Sequence, residues 1–221
     1  MMASSLKGFF VVGVLGALWA LPGIAQVSDD DRGKLAALPR LFEALGAKPG
    51  VRIADVGSGD GFYSLQISKV VTPGGRVTAS DIDKEGLDRL RKRIESEKVT
   101  NVDVMMGRPD DPLLESNAYD AVLIRNAYHE MTEHEAMLRH IHDALKPGGR
   151  FVVTERMLES RRGLSRQEQV AVHQIASEFV AAELLAAGFQ IQQRDESFEP
   201  STDPQNPGGL WLIMAVKSRE Q

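Results

Sequence analysis

The chain has 221 residues and a formal net charge of −5, long enough for one α/β domain with a full core and without the basic footprint of a nucleic-acid surface. It has no cysteine, which excludes disulfides, thiolate metal sites and a cysteine nucleophile. No nucleic-acid partner is expected.

At the N-terminus Lys7 precedes an apolar stretch from Gly8 to Leu21, and Pro22-Gly23-Ile24-Ala25 puts small residues at the third and first positions before Gln26. Residues 1–25 therefore read as an export signal peptide or, if retained, as a membrane anchor. The expected location is periplasmic or secreted, or membrane-anchored through this segment. Removing it takes away Lys7 and leaves a net charge of −6. Residues 26–221 then form one domain, which opens on the acidic spacer Ser28-Asp29-Asp30-Asp31. Leu35, Leu38, Leu41, Phe42 and Leu45 share one helical face, stopped by Gly46 and Pro49-Gly50. That helix is expected to lid the ligand-binding end.

Val51 to Val56 reads as a buried strand, and Asp55-Val-Gly57-Ser-Gly59-Asp-Gly61 breaks it into a turn that opens a helix from about Tyr63 to Val71. Glycines two, four and six places after a carboxylate let the backbone approach a ligand where a Cβ would collide, and the helix N-terminus offers free N–H groups. A dinucleotide fingerprint would want glycine at Phe62 and its acid after the second strand rather than at the end of the first. Asp55 instead suits a cationic ligand group. Pro73-Gly74-Gly75 leads into a second strand, Arg76 to Asp81, whose closing acid stands twenty positions beyond Gly61. A carboxylate there can accept hydrogen bonds from ribose hydroxyls. Asp83 is the expected N-cap of a helix from Lys84 to about Glu97.

Further strands follow at Asn101 to Met106, Tyr119 to Arg125 and Arg150 to Glu155, alternating with helical stretches. This pattern implies parallel strands, right-handed crossovers and two covered faces. A sixth strand around Gln190 to Arg194 and a last one from Leu210 to Val216 complete the set. In such sheets ligands collect beyond the carboxyl ends of the strands. The fourth strand is the richest there, running into Asn126-Ala-Tyr128-His129-Glu130. His129 or Glu130 could act as a base, with Tyr128 packing on a ligand; the plainer reading begins the next helix here, with Thr132-Glu-His-Glu135 as its capping box.

No metal site is read from these residues. A zinc-protease pattern needs a second histidine four places after His129, where Glu133 stands, and His134 is out of register. His134, His140 and His142 are polar positions on a helix that turns Met137, Leu138, Ile141 and Leu145 inward. His173, ahead of a helix that Ser177 would cap, is a secondary candidate.

The segment from Asp55 through Gly61 to Asp81, with the phrase Leu145-Lys-Pro-Gly-Gly-Arg150, resembles the class I S-adenosylmethionine-dependent methyltransferases over about Gly46 to Lys217. The resemblance implies a Rossmann-like three-layer αβα sandwich around a seven-stranded, mostly parallel sheet with the last strand antiparallel. It implies S-adenosyl-L-methionine as cofactor; a small-molecule acceptor is expected, although nothing in the sequence distinguishes a small metabolite from a protein side chain. Asp55, Gly57, Gly59 and Gly61 would hold the methionine end, with Asp81 on ribose and Ile82 against adenine. Asn126 to Glu130, with Tyr128, His129 and Glu130 as catalytic candidates, would face the acceptor. The chain departs from the family where an acid should follow Gly107: that residue is Arg108, and Asp110 or Asp111 is expected to reach the adenine edge instead. The alternative function is an exported, non-catalytic module that binds a nucleoside-like ligand on the same fold.

Overall fold

A computed structural model describes residues 29–201 and 208–219. The leader at residues 1–25 lies outside the described residues, and no described helix is long and apolar enough to cross a membrane. The chain forms α1 (Asp29–Leu45), β1 (Arg52–Val56), α2 (Phe62–Val71), β2 (Arg76–Asp81), α3 (Lys84–Ser96), β3 (Val102–Met106) and β4 (Tyr119–Arg125). A short 3-10 turn (Tyr128–Glu130) leads to α4 (His134–Ala144) and β5 (Leu145–Arg156). The chain closes with α5 (Arg166–Val170), α6 (Ser177–Ala186), β6 (Phe189–Glu199) and β7 (Leu210–Lys217).

The seven strands lie in the order β3-β2-β1-β4-β5-β7-β6. All pairings from β3 to β5 are parallel, and β7 runs antiparallel to both of its neighbours. Strand alternation divides the core in two. Ala121, Leu123 and Val152 face α1, α2 and α3, while Val122, Ile124, Phe151 and Val153 face α4 and α6. The chain winds outward from β1 through β2 to β3 and then returns to β4 on the other side of β1. The neighbouring carboxyl ends of β1 and β4 therefore send their loops apart and leave a crevice, the usual ligand position in a doubly wound sheet.

Local departures from the sequence reading have physical causes. β6 runs longer than Gln190 to Arg194 because it is an edge strand with only Phe189 and Phe198 buried, so it lacks apolar alternation. β5 starts early because Leu145 pairs with Tyr119 before a register shift. Asp83 caps α3, accepting from the Glu85 and Gly86 amides. The capping box at Thr132 does not form: α4 starts at His134, and its N-cap is Glu133, which makes no side-chain cap bond. Ser177 is not a cap either, since its hydroxyl donates to Glu196 at 2.6 Å. Ser165 and Glu168, passed over in the sequence, form a full capping box on α5. Residues 35–45 of α1 bury Leu38, Leu41 and Leu45 against the sheet face and leave Leu35 exposed. Arg40 ties this helix to β6 through the Phe198 carbonyl and Asp195. This segment packs across β4, β5 and β6 and lines no part of the crevice, so it is not a lid.

Candidate functional site

A cleft of about 480 Å³ opens at the switch point, a size suited to a small organic ligand. Gly57 and Gly59 line it from the loop after β1, Ser80 to Asp83 after β2, and Gly107, Arg108 and Pro109 after β3. Asn126, Ala127 and Glu130 to Thr132 close it after β4. Every wall is thus a strand's carboxyl end, as the topology requires.

The three loop glycines, all at positive φ, answer to different neighbours. A Cβ on Gly57 would stand 2.5 Å from the Ala127 Cβ, so this glycine lets the β1 and β4 loops meet. A Cβ on Gly61 would lie 2.2 Å from Leu90 Cδ1, so this residue serves the packing of α3 and not the cleft. Gly59 alone would point a Cβ into open space. Its amide donates to Asp81 Oδ2 at 2.7 Å, and Asp81 Oδ1 accepts from the Asp83 amide at 2.8 Å. Asp81 therefore joins the two loops and lines the cleft with them. Between the first two glycines, the Ser58 hydroxyl is buried without a protein partner. Ser58 does not line the cleft, so this hydroxyl lies on the inner side of the loop.

Asp55 is placed differently from the expectation. It is 2% exposed and accepts from Ser64 Oγ at 2.6 Å, behind the loop and outside the lining of the cleft. Burial pushes its carboxyl up to about 6, against the lowering effect of Ser64 and with Asp81 adding repulsion. Its contribution is to hold the loop onto α2. Ile82 is 59% exposed on the cleft wall, an apolar side chain offered to a flat ligand surface. Arg108 and Pro109 line the cleft, whereas Asp110 and Asp111 do not. Arg108 and Asp111 exchange backbone bonds across a turn, and Asp111 Oδ1 accepts from the Leu113 amide. Asp111 is thus engaged within the turn, and neither carboxylate is part of the cleft wall.

Beyond β4, Asn126 takes a positive φ of 50° and donates its amide to Thr154, which turns the chain into the 3-10 turn. The turn sends three successive side chains in three directions. Tyr128 goes into the core, fully buried, with its hydroxyl 2.7 Å from Glu183; burial and the Glu183 charge raise its pKa far above the ordinary phenol value. It does not line the cleft, contrary to its candidacy as a ligand-packing residue. Glu130 is exposed and lines the cleft.

His129 lies between these two, with 3% of its side chain exposed. Its Nδ1 is 2.8 Å from Oε2 of Glu155, a fully buried carboxylate at the end of β5 whose Oε1 also accepts the His129 amide. Burial pushes the imidazole pKa down, but the Glu155 bond and charge, with Glu130 adding to them, outweigh this and leave it raised. Nε2 points toward Glu130 Oε1, 3.7 Å away. His173 packs edge-on against His129, with ring centroids 5.6 Å apart, and its Nδ1 is 3.9 Å from the same Glu130 oxygen. Sequence reasoning missed Glu155 as a partner of His129; its only signal was an acid at the end of a buried strand.

A model of the methyltransferase domain family matches residues 53–149. The ubiquinone/menaquinone biosynthesis C-methyltransferase UbiE of Vibrio cholerae is 33% identical over 118 residues, 52% of this chain and 44% of that protein. The match thus spans less than half the length of that relative. Among solved structures, a SAM-dependent methyltransferase from Aquifex aeolicus aligns with a TM-score of 0.67 at 21% identity, over 86% of this chain and 99% of that one. The [4+2]-cyclase SpnF aligns with a TM-score of 0.72 at 20% identity, over 86% and 83%. These two likenesses establish the fold.

Proposed function

We propose that this chain, which carries a class I S-adenosylmethionine-dependent methyltransferase domain, transfers a methyl group to a small-molecule acceptor entering beside Glu130. The observation that carries this reading is the cradle: Gly59 facing open space, its amide fixed by Asp81, beside the exposed Ile82 on the same cleft wall. When bound, S-adenosylmethionine supplies an electrophilic methyl group on a sulfonium. In this reading Gly57 and Gly59 hold its methionine end, Asp81 accepts from its ribose hydroxyls and Ile82 covers its adenine. Asp55 stabilises the loop from behind.

Methyl transfer is accelerated mainly by holding the acceptor close and in line, a task for the cleft walls from Asn126 to Thr132. Glu130, with His129 behind it, would take a proton from an acceptor that still carries one. The V. cholerae relative is named a C-methyltransferase, which makes an acidic carbon on a small molecule a reasonable first acceptor to try. The family match ends at Gly149, before Glu155 and His173, so the acceptor end is argued from this chain's own residues. The reading of residues 1–25 as an export signal or anchor belongs to the same proposal and is checked by cell fractionation.

The test of function is transfer of a labelled methyl group from S-adenosylmethionine into a small-molecule extract, with wild-type protein and His129→Ala. Label in a small molecule from the wild type, and much less from the variant at undiminished S-adenosylhomocysteine binding, is the expected result. Binding without transfer across the acceptors tried would favour the non-catalytic module.

A further inference from the structure

The cluster of His129, Glu130 and His173 has the chemistry and spacing of a metal site. One ligand atom from each residue lies within 4.8 Å of the other two. Around a tetrahedral ion with bonds near 2.1 Å, neighbouring ligand atoms stand about 3.4 Å apart. The pairs at 3.7 Å and 3.9 Å through Glu130 Oε1 are therefore a few tenths of an ångström too wide and the two histidine nitrogens lie within 4.8 Å, and both Glu130 and His173 are exposed side chains able to move inward.

Two independent features separate the cluster from a chance surface grouping. The first is Glu155, fully buried against Nδ1 of His129. It can accept the hydrogen bond of Nδ1–H, which places the Nε2 lone pair of the neutral ring toward Glu130, the carboxylate–histidine arrangement that orients metal-bound imidazoles in metalloproteins. The second is the backbone of His173, held at a φ of 55°. A non-glycine residue rarely adopts that conformation without surrounding structure to hold it there, and here it sets the ring edge-on against His129.

We propose that His129 Nε2, the Glu130 carboxylate and a His173 ring nitrogen bind one divalent transition-metal ion. Two imidazoles and a carboxylate suit zinc, cobalt, nickel or iron rather than magnesium or calcium. Three protein ligands leave a coordination position open, as in catalytic rather than structural zinc sites. Glu130 also lines the cleft, so the ion would sit at its rim. Resting on the methyl-transfer reading, the ion would lower the pKa of an acceptor hydroxyl at the open position so that it releases its proton to solvent water, and Glu130 and His129 would then serve as ligands instead of as the proton-accepting pair.

The test is titration of Co²⁺ into tag-free full-length protein without S-adenosylmethionine, followed by visible absorption and then competition with Zn²⁺. One equivalent of Co²⁺ with tetrahedral or five-coordinate ligand-field bands, displaced by Zn²⁺, is expected. His173→Ala and Glu130→Gln change exposed side chains and should each weaken binding at least tenfold with unchanged thermal melting. Glu155→Gln should weaken it roughly ten- to hundredfold by releasing the ring, while His140→Ala should leave it unchanged. Absence of a stoichiometric site, or full affinity in either His173→Ala or Glu130→Gln, overturns the proposal. None of these readouts depends on methyl transfer, so the site can fail while the function stands, and the reverse.

Discussion

The loop after β1 and the 3-10 turn after β4 face each other across one cleft, yet they are built by opposite means. The first is specified by backbone. Gly57 and Gly61 are fixed by collisions that a Cβ would make with Ala127 and Leu90, and Gly59 by the need to leave space open. The second is specified by side-chain pairs formed at long range: Tyr128 with Glu183, His129 with Glu155, and His173 against His129. Backbone demands leave glycines at fixed short spacings. Long-range pairs leave ordinary residues scattered along the chain.

Substitutions can break or sharpen this contrast, beginning with the largest effect. Gly61→Ala should destabilise the fold by roughly 2–5 kcal/mol, combining a left-handed backbone at about 1–2 kcal/mol with overpacking at about 1–3 kcal/mol. Gly59→Ala, also at positive φ but facing open space, should carry only the backbone part and chiefly lower S-adenosylhomocysteine affinity. Denaturant unfolding together with ligand titration separates the two, and equal stability losses would erase the distinction between a packing glycine and a cradle glycine.

Asp55 provides a pH test of the claim that it acts from behind the loop. Its carboxyl pKa is raised from 3.8 to about 6 by burial, so protonation favours the folded state. The stabilisation is fully present below the ordinary value and is lost as pH rises through about 6. Asp55→Asn should therefore stabilise the protein at pH 8 by up to roughly 3 kcal/mol, at about 1.4 kcal/mol per pKa unit, and by little at pH 4. A constant difference across that range would contradict the burial argument. The smallest effect is expected from Tyr128→Phe. Losing the bond to Glu183, which keeps its pairing with Arg166, should cost about 1.5 kcal/mol, the low end for a charged acceptor, with S-adenosylhomocysteine affinity and methyl transfer unchanged; a large fall in turnover would return Tyr128 to the site.

The same contrast explains what could be read from the sequence. The order of elements and the parallel core follow from hydrophobic periodicity and turn glycines, the antiparallel last strand is what the family resemblance implies, and the observed sheet has that arrangement. Gly57, Gly59, Asp81, Ile82, Asn126 and Glu130 line the cleft as read, and Asp83 is a cap. Asp55 and Gly61 belong to the right loop but are turned into its supporting side, which a motif cannot reveal because it records spacing and not direction. Asp110 is likewise outside the cleft lining, in the turn that Arg108 and Asp111 close, where Arg108 and Pro109 form the wall instead. Glu155 and His173 become neighbours of His129 only once β4 and β5 pair and the segment after α5 folds back. No local pattern carries that information.

The central claim is that the Gly57-to-Asp81 cradle binds S-adenosylmethionine, with Asp81 as its ribose anchor. Calorimetric titration of S-adenosylhomocysteine into wild-type protein and Asp81→Ala tests it most directly. Two hydrogen bonds to a charged carboxylate, at roughly 1.5–3 kcal/mol each, predict micromolar binding by the wild type and a loss of at least about a hundredfold in the variant. A folded wild type that does not bind, or a variant that binds equally well, would contradict the account.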